Sequence, residues 1–553
     1  MNTYLGNKGY TIPKNEISVE QQKQIRSDLT IKPYVPGSPG TSLTFPAYRE
    51  SANKMYVPHY YGADKFGNPK QYKISEGSDI NLVFNGSLRE KQVEVVKTYV
   101  DHVNRVTYGG GLLELPCAFG KTVLALNIIS QLKKKTFIIV HKEFLMNQWI
   151  ERIQQFLPDA RIGKIQGQVI DIDNKDIVIG MLQSLSMKEY PQSIFDSFGL
   201  TIIDEVHHIS SEVFSNTLFK LVTKYMLGLS ATMNRKDGTT KVFKMFLGNV
   251  VYKGKRDEER DVVVRAIEYS VNDDDFNREE TDFRGNPAYS TMISKLCEYN
   301  RRSEFILKVL SDMLIENPNQ QVMILAHNKN LLKYLHDAIV HRNIATVGYY
   351  VGGMKEAALK LTESKKIVIA TYSMAAEALD IKTLTTLIMA TPKTDIEQSV
   401  GRILRERHSS PVVVDIIDSH SIFKNQWTKR RRFYMKENYK IIGTKSTEYT
   451  PDTNKWTKIY IPGDKKINKR IEKEENGLQG KCFLKTKTTS DPRFNSFDAF
   501  AEWFDDTCIS CSDNEDDDYE CIMKTWCINN NHDWNDYDKS RPAGVYNNNI
   551  TEY

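Results

Sequence analysis

The sequence has no apolar run approaching the roughly 20 residues a membrane-spanning helix needs. Its start, Met1-Asn2-Thr3-Tyr4, lacks the charged-then-apolar order of a secretory signal. Together these absences argue against a membrane partner and lead us to expect an intracellular protein. Cysteine is scarce: seven in 553 residues, an odd number without a regular framework. That excludes a disulfide scaffold and fits a reducing compartment. No short internal repeat is visible. An excess of one charge is also lacking, with 75 Lys and Arg against 70 Asp and Glu, net +5. So mild an excess permits nucleic-acid binding without arguing for it. What remains is ordinary for a globular chain, 40% hydrophobic and 26% charged, and too long for one core.

The charge is unevenly placed. Lys429-Arg430-Arg431-Arg432 opens a basic region that continues through Lys465, Lys466, Lys469 and Arg470. Asp505-Asp506 and Asp513-Asn514-Glu515-Asp516-Asp517-Asp518 then make the tail acidic. Such runs are usually solvated surface or flexible tail. The richness in Asn, Lys, Ile and Tyr, residues with AT-rich codons, hints at an AT-rich source genome.

The strongest local signal is Leu115-Pro116-Cys117-Ala118-Phe119-Gly120-Lys121-Thr122. It follows an apolar segment (Leu112, Leu113, Leu115) and precedes the helix-like run Val123-Leu124-Ala125-Leu126-Asn127-Ile128-Ile129. A strand, a tight loop ending Gly-Lys-Thr and a helix form a phosphate cradle. Backbone N–H groups and the helix N-terminus face the anion, Lys121 reaches the β and γ phosphates, and the Thr122 hydroxyl binds Mg²⁺. The general pattern asks for Gly where this chain has Leu115.

Organisation along the chain supports that placement. Residues 1–85 carry scattered Pro, Gly and Tyr and read as a loop-rich N-terminal module. From about residue 86, short apolar runs alternate with longer helical ones. Strand candidates are Thr136–Val140, Asp176–Gly180, Leu200–Ile203 and Met226–Leu229, with a helix over Phe144–Phe156. A charged, Asn-rich stretch at 271–287 interrupts the pattern, which restarts at Gln321–Ala326, Lys366–Ala370, Thr386–Ala390 and Val412–Ile417. The fold class expected is α/β: two tandem domains with parallel sheets covered on both faces. The divisions expected are 1–85, 86–255, 256–445 and a partly acidic extension over 446–553.

Ile202-Ile203-Asp204-Glu205-Val206-His207-His208 reads as a buried strand ending in carboxylates and imidazoles. Open α/β sheets place ligands at the carboxyl ends of their strands. Asp204 there suits the hydrated Mg²⁺ that bridges phosphates, and Glu205 suits orienting and deprotonating the attacking water. A zinc site from His207 and His208 is a poor alternative, because adjacent ligands on one short loop do not match metal geometry. In Gln398-Ser399-Val400-Gly401-Arg402-Ile403-Leu404-Arg405, helical spacing would put Gln398, Arg402 and Arg405 on one face. As arginine fingers, Arg402 and Arg405 would neutralise charge on the γ-phosphate, an effect of about 10³–10⁵ in rate in general.

The order of these motifs resembles helicase superfamily 2. More narrowly it resembles the DExH group that contains XPB, the phage helicase UvsW and the poxvirus-type transcript-release helicase. The resemblance covers roughly 85–445. It implies two RecA-like domains, with 86–255 binding ATP and 256–445 as the helicase C-terminal domain. Leu88-Arg89-Glu90-Lys91-Gln92 resembles the adenine-reading segment, which gives Arg89 and Gln92 that role. Pro116, Cys117, Ala118, Phe119, Gly120, Lys121 and Thr122 would form the phosphate loop, whose helicase form does not use Gly at Leu115. Ala118 stands where the family usually has Gly, as does Ala378, and Asn234 replaces a common proline. Gly228-Leu229-Ser230-Ala231-Thr232 resembles the motif that couples nucleotide state to strand grip, through Ser230, Ala231 and Thr232. Met233-Asn234-Arg235-Lys236-Asp237-Gly238 resembles the Arg-x-Asp-Gly extension of the XPB-like group. His207 would link the Mg²⁺ motif to Gln398. Ala370-Thr371 with Glu377-Ala378-Leu379-Asp380 resembles the second-domain motif touching nucleic acid and nucleotide, with Asp380 on the nucleotide side.

Strand contacts in this family are mostly to phosphates, hence blind to sequence and sensitive to salt. By resemblance they fall on His141, Lys142, Gln183 and Thr371. Gln426–Tyr434 mixes Arg with aromatics, as nucleic-acid channels do, and puts Arg430 forward; a solvated amphipathic helix packed by Phe433 is the competing reading. Cys508, Cys511, Cys521, Cys527 and His532 make a weak zinc candidate, because only one C-x-x-C is present and the second pair is too widely spaced. The expectation is an ATP- and Mg²⁺-dependent helicase or translocase, with DNA favoured over RNA, acting in viral transcription (transcript release) or in repair. Transcription machinery is the partner this suggests, and host cytoplasm, viral factory and virion are the places it implies. An RNA helicase and a nucleotide-gated assembly component are the alternatives.

Overall fold

The computed structural model describes residues 1–464 apart from 34–43, 107, 117–118, 209–210, 234–237, 255–260, 283–284, 286, 378, 380, 405–407 and 409–410, and only the backbone of His208, Ser211, Ala376 and Glu377. The chain divides into two compact units, Met1–Thr457 and Lys458–Tyr553, the second described only over 458–464. The zinc candidates and the acidic tail lie outside the described residues. No described helix is long and apolar enough to cross a membrane.

Two large sheets organise the first unit. In the first, the strand order is Val169–Asp171, Ile162–Gln166, Ile177–Met181, Thr136–Val140, Leu200–Ile203, Tyr225–Ser230, Gly109–Glu114 and Val250–Lys253. All pairings are parallel except the edge hairpin. Every residue of Thr136–Val140 and Leu200–Ile203 is buried, as continuous aliphatic runs require when helices cover both faces. The second sheet runs Val347–Tyr350, Ile367–Thr371, Gln321–Ala326, Leu384–Met389, Val412–Asp418, Val263–Tyr269 and Lys440–Lys445, all parallel. This is the tandem RecA-like α/β architecture expected from the sequence. The packing of the second domain continues past residue 445, since Trp456 joins its core.

The strand Gly109–Glu114, next to the edge strand Val250–Lys253, begins with three glycines, and Gly110 shows why. A Cβ there would sit 2.7 Å from the Leu247 carbonyl oxygen and 2.8 Å from both the Met226 carbonyl oxygen and the Tyr60 hydroxyl. Backbone from two neighbours approaches too closely for a side chain.

The N-terminal module is not loop-rich. Arg49–Glu50, Lys54–Val57, Gly9–Pro13, Tyr4–Gly6 and Gln71–Tyr72 form a five-stranded sheet. Helices Val19–Asp28 and His59–Phe66 accompany it, the first capped by Ser18 and Gln21 reciprocally. Tyr10, Ile12, Met55 and Val57 share an apolar cluster with Phe214, Phe243 and Phe246 of the first large domain. Its Pro and Gly residues punctuate strands too short to show periodicity.

The second domain encloses two arginines. Arg302 meets Asp418 through Nε–Oδ1 at 2.6 Å and Nη2–Oδ2 at 2.8 Å. Arg430 meets Asp415 through Nε–Oδ2 at 2.7 Å and Nη2–Oδ1 at 2.8 Å, and Tyr434 donates to the same carboxylate. Arg302, Arg430 and both carboxylates are fully buried. This corrects the reading of Arg430 as a nucleic-acid contact. Helix Ser421–Lys436 turns Arg430 inward, where its charge is spent on Asp415 and no phosphate can reach it. Removing one partner of a buried pair typically costs about 3–5 kcal/mol. Asp415→Asn is therefore expected to destabilise the protein by that order in urea denaturation, while Lys429→Ala, one residue from Arg430 but exposed, stays within about 0.5 kcal/mol of wild type. Equal effects of the two substitutions would contradict the assignment.

Candidate nucleotide site and interdomain seam

The phosphate-loop candidate connects the carboxyl end of Gly109–Glu114 to helix Lys121–Leu132. Gly120 caps that helix at φ +88°, the left-handed region that favours glycine. A Cβ on Gly120 would also stand 2.4 Å from Gln92 Nε2. Gln92 is buried and works in two directions: its Oε1 accepts from the Arg89 backbone N–H at 3.0 Å, and its Nε2 donates to the Phe119 carbonyl at 2.7 Å. The Arg89 guanidinium donates to the same carbonyl and lies 5.9 Å from the centre of the Phe119 ring. Arg89 and Gln92 thus clamp the loop from helix Glu90–Asn104. Pro116 is half-buried at the loop's entry. Cys117 and Ala118 lie outside the described residues, so the departure at Ala118 stays an expectation.

Strand Leu200–Ile203 delivers Asp204 and Glu205 beside the loop. Lys121 Nζ sits 3.2 Å from Glu205 Oε1, and Thr122 follows it half-buried on the same helix. Glu205 adopts φ +48°, uncommon for a side-chain-bearing residue and a strain typical of functional sites. Asp204 Oδ1 accepts the Glu205 backbone N–H at 3.0 Å, and Asp204 Oδ2 accepts the Trp149 indole N–H at 2.8 Å. Burial, and then the neighbouring Glu205 charge, push the Asp204 acid up to about 6; Lys121 and the Trp149 N–H pull the other way. A hard cation with oxygen ligands fits here. The Thr122 hydroxyl and the Asp204 carboxylate would supply them, and a divalent charge would relieve two crowded carboxylates. Among the described residues no group of three or more His, Cys, Asp or Glu is placed to hold a metal by itself. That is compatible with an ion bound mainly through phosphates and water.

From Glu205 a polar chain leads out of the first domain. His207 Nδ1 lies 3.4 Å from Glu205 Oε2 and 2.6 Å from Ser230 Oγ. Ser230 Oγ donates to the Thr232 carbonyl and receives the Thr232 N–H at 3.3 Å. Ala231, between them, is buried. Because Ser230 spends its proton on Thr232, His207 must donate from Nδ1. Its Nε2 then accepts from Gln398 Nε2, 2.9 Å away in the second domain. One neutral tautomer satisfies these bonds.

Of the residues expected to share one face, Gln398 and Arg402 are described and Arg405 is not. The α-helix covers only Glu397–Gly401, and Arg402–Leu404 continues as a 3₁₀ turn, which changes the angular spacing. Arg402 is buried and donates from Nη1 to the Leu379 carbonyl at 2.9 Å. Arg405, Asp380, Ala378 and the run Asn234–Asp237 lie outside the described residues.

The candidate strand-contact residues fall at strand ends of both sheets, with one correction. The His141 ring is buried, and what His141 offers outward is its carbonyl, which accepts Gln183 Nε2 at 2.8 Å. Lys142 is half-buried at the N-cap of helix Glu143–Phe156, Gln183 is exposed, and Thr371 is half-buried with Oγ1 3.3 Å from Ser373 Oγ. Sequence reasoning missed Trp149, which reads as one more apolar residue on a core-facing helix. It also missed the second bridge between domains, Asn147 Nδ2 to Glu356 Oε2 at 2.9 Å and Lys360 Nζ to Glu151 Oε1 at 3.0 Å.

The chain is similar to several known proteins. The family described as Type III restriction enzyme, res subunit, matches residues 85–235. The protein named "Putative ATP-dependent RNA helicase L396" of Acanthamoeba polyphaga mimivirus is 35% identical over 453 residues, covering 78% of this chain and 85% of the viral protein. "Putative ATP-dependent RNA helicase QP509L" of African swine fever virus (isolate Pig/Kenya/KEN-50/1950) is 28% identical over 381 residues, 64% of this chain and 74% of that one. Among solved structures, that of T4 UvsW covers 81% of this chain and 100% of its own at 16% identity, with a TM-score of 0.31.

The weakened acidity of Asp204 has a consequence for the nucleotide-free protein. An unfolded Asp titrates near 3.9, whereas the folded one titrates near 6. Below about pH 4 both states are protonated and the site costs nothing. As pH rises towards 6 the unfolded state ionises first, so folding loses stability, and the full cost is present above about pH 6. Asp204→Asn keeps an acceptor for Trp149 but carries no charge. It is expected to raise nucleotide-free stability by about 1–3 kcal/mol at pH 7.5 and by clearly less at pH 5. Thermal melts at the two pH values check this, and a gain that is absent or larger at pH 5 would refute it.

Proposed function

The chain belongs to the superfamily 2 helicases, as an ATP hydrolase of the ATP-dependent kind found in these viruses, and on that premise we propose that it is a translocase driven by closure of the cleft between its two RecA-like domains. The observation that carries this reading is the continuous chain Lys121–Glu205–His207–Gln398, which begins at the phosphate loop and ends in the other domain. In this reading ATP draws Lys121 away from Glu205 and onto its phosphates. Glu205, released, orients and deprotonates water. Thr122 and Asp204 would hold a divalent cation, which when bound would neutralise charge on the phosphates. His207 and Gln398 report the change across the seam, while Ser230 and Thr232 relay it towards Lys142, Gln183 and Thr371. Arg89 and Gln92 read adenine, and the remainder of 116–122 cradles phosphate. Arg402 and Arg405 reach the γ-phosphate as the cleft closes, with Asp380 nearby.

The substrate reading is duplex DNA, supported by the likeness of Arg235-x-Asp237-Gly238 to the XPB-like group. RNA is the second reading, and the names of the viral relatives favour it. In either case the grip is on phosphates. Work at a transcription bubble, with transcript release as its outcome, and residence in the viral factory and virion follow from the viral kinship as parts of this proposal.

The test is ATP hydrolysis measured against duplex DNA, single-stranded DNA, RNA and hybrid, at low and moderate salt. Nucleic acid is expected to stimulate wild type, with stimulation falling steeply as salt rises. Glu205→Gln and Lys121→Ala should each lower kcat by at least about 10²-fold, a typical loss for removal of a catalytic base or a charge stabiliser. Wild-type activity no greater than that of Glu205→Gln would end the engine reading. Stimulation confined to RNA would replace DNA with RNA.

A further inference from the structure

Trp149 is among the largest fully buried side chains of the molecule, on helix Glu143–Phe156 within the core of the first domain. Packing alone does not need an indole there, since a phenyl ring fills apolar space without a polar atom to satisfy. A buried indole N–H must find an acceptor, and this one has found Asp204 Oδ2 at 2.8 Å. The other oxygen of that carboxylate takes the Glu205 backbone N–H at 3.0 Å. The two donors approach different oxygens, so the plane of the carboxylate is fixed and cannot rotate about its last torsion. Each carboxylate oxygen accepts more than one bond, so coordination capacity remains. Bonds to an ionised acceptor are about twice as strong as neutral ones, and stronger in a dry site.

We propose that Trp149 is a positioning residue of the nucleotide site, its indole N–H holding Asp204 in the orientation that receives the divalent cation of ATP. The proposal rests on the reading of Asp204 as the cation's carboxylate. Partners that orient a ligand are commonly worth about 10–100-fold in metal affinity. Trp149 acts through Asp204, so its loss should appear in cation dependence rather than in nucleotide recognition.

The experiment uses the full chain and a fluorescent ADP, mant-ADP, titrated with Mg²⁺ and, separately, with nucleotide in EDTA. Trp149→Phe deletes the N–H and keeps an aromatic ring. It is expected to raise the Mg²⁺ concentration for half-maximal mant-ADP binding about 10-fold, the lower end of the range above, with binding in EDTA unchanged. An unshifted Mg²⁺ midpoint overturns the proposal, and so does an equal loss with and without Mg²⁺, which is what a packing defect would give. Asp204→Asn separates the two readings. If it leaves the Mg²⁺ midpoint unmoved, the assignment of Asp204 fails; if it moves the midpoint and Trp149→Phe does not, only the role of Trp149 fails. Should Trp149→Phe not fold, Trp149→Met, a flexible gap-filler that also lacks the N–H, is read by the same two titrations.

Discussion

Two carboxylates with a single lysine between them and the phosphate loop set the terms for this site. Asp204 and Glu205 stand side by side at the end of a buried strand, where water screens neither well. Each unusual feature nearby answers that crowding. Glu205 takes a left-handed backbone conformation and turns its side chain to Lys121. Asp204 draws two N–H donors and still has its acidity weakened. The two carboxylates repel each other in a site of low water content, a repulsion that the cation of a magnesium nucleotide would relieve. In the proposed function the nucleotide's phosphates would compete with Glu205 for Lys121, and its cation would compensate Asp204. Binding and the release of Glu205 would then be the same event.

The seam between domains inherits that arrangement. His207 can contact Gln398 as an acceptor only while its other nitrogen donates to Ser230. Its orientation therefore depends on both the carboxylate side and the Ser230–Thr232 turn. The outer bridge, Asn147 and Glu151 against Glu356 and Lys360, has exposed partners. Exposed pairs of this kind contribute about 0–1 kcal/mol. Such a bridge can bias closure but cannot hold the cleft shut, which suits an engine that must reopen. Helix Glu143–Phe156 carries this bridge on Asn147 and Glu151, and the Asp204 contact on Trp149.

Legibility followed physics unevenly along the chain. The strands named from the sequence stand within one or two residues of their expected places, because a strand buried on both faces must be a continuous aliphatic run. Thr136–Val140 and Gln321–Ala326 are such runs. Outer strands such as Ile162–Gln166, Val250–Lys253 and Lys440–Lys445 are not legible. The phosphate loop is legible because Gly120 is required by its φ and by the approach of Gln92. The N-terminal sheet is not, since strands of two to five residues carry no measurable alternation. Arg430 misleads for another reason. A run of Lys and Arg on a helix states charge but not direction, and one member of Lys429–Arg432 faces Asp415, distant in sequence. Trp149 and His141 show the converse limit: residue type announces burial or polarity, while the partner that gives it meaning lies in another element.

The buried arginine pairs also bear on the seam. Asp415 and Asp418 both lie on strand Val412–Asp418. Arg430, having engaged Asp415, gives a further N–H to the Lys393 carbonyl at 3.1 Å; Arg302, having engaged Asp418, gives one to the Ala390 carbonyl at 2.7 Å. Tyr372 donates to the Thr391 carbonyl, and the Thr391 hydroxyl lies 2.8 Å from His327 Nδ1. Residues 390–393 are thus held by four side chains from different elements, just before the helix that carries Gln398. A buried ion pair is poor value for stability alone, since an apolar replacement often does as well. What an apolar replacement cannot do is tie two backbone carbonyls at fixed points. The arginines in the second domain make sense as braces that keep the seam contact of Gln398 stiff, so that a change at His207 moves the domain rather than a loop.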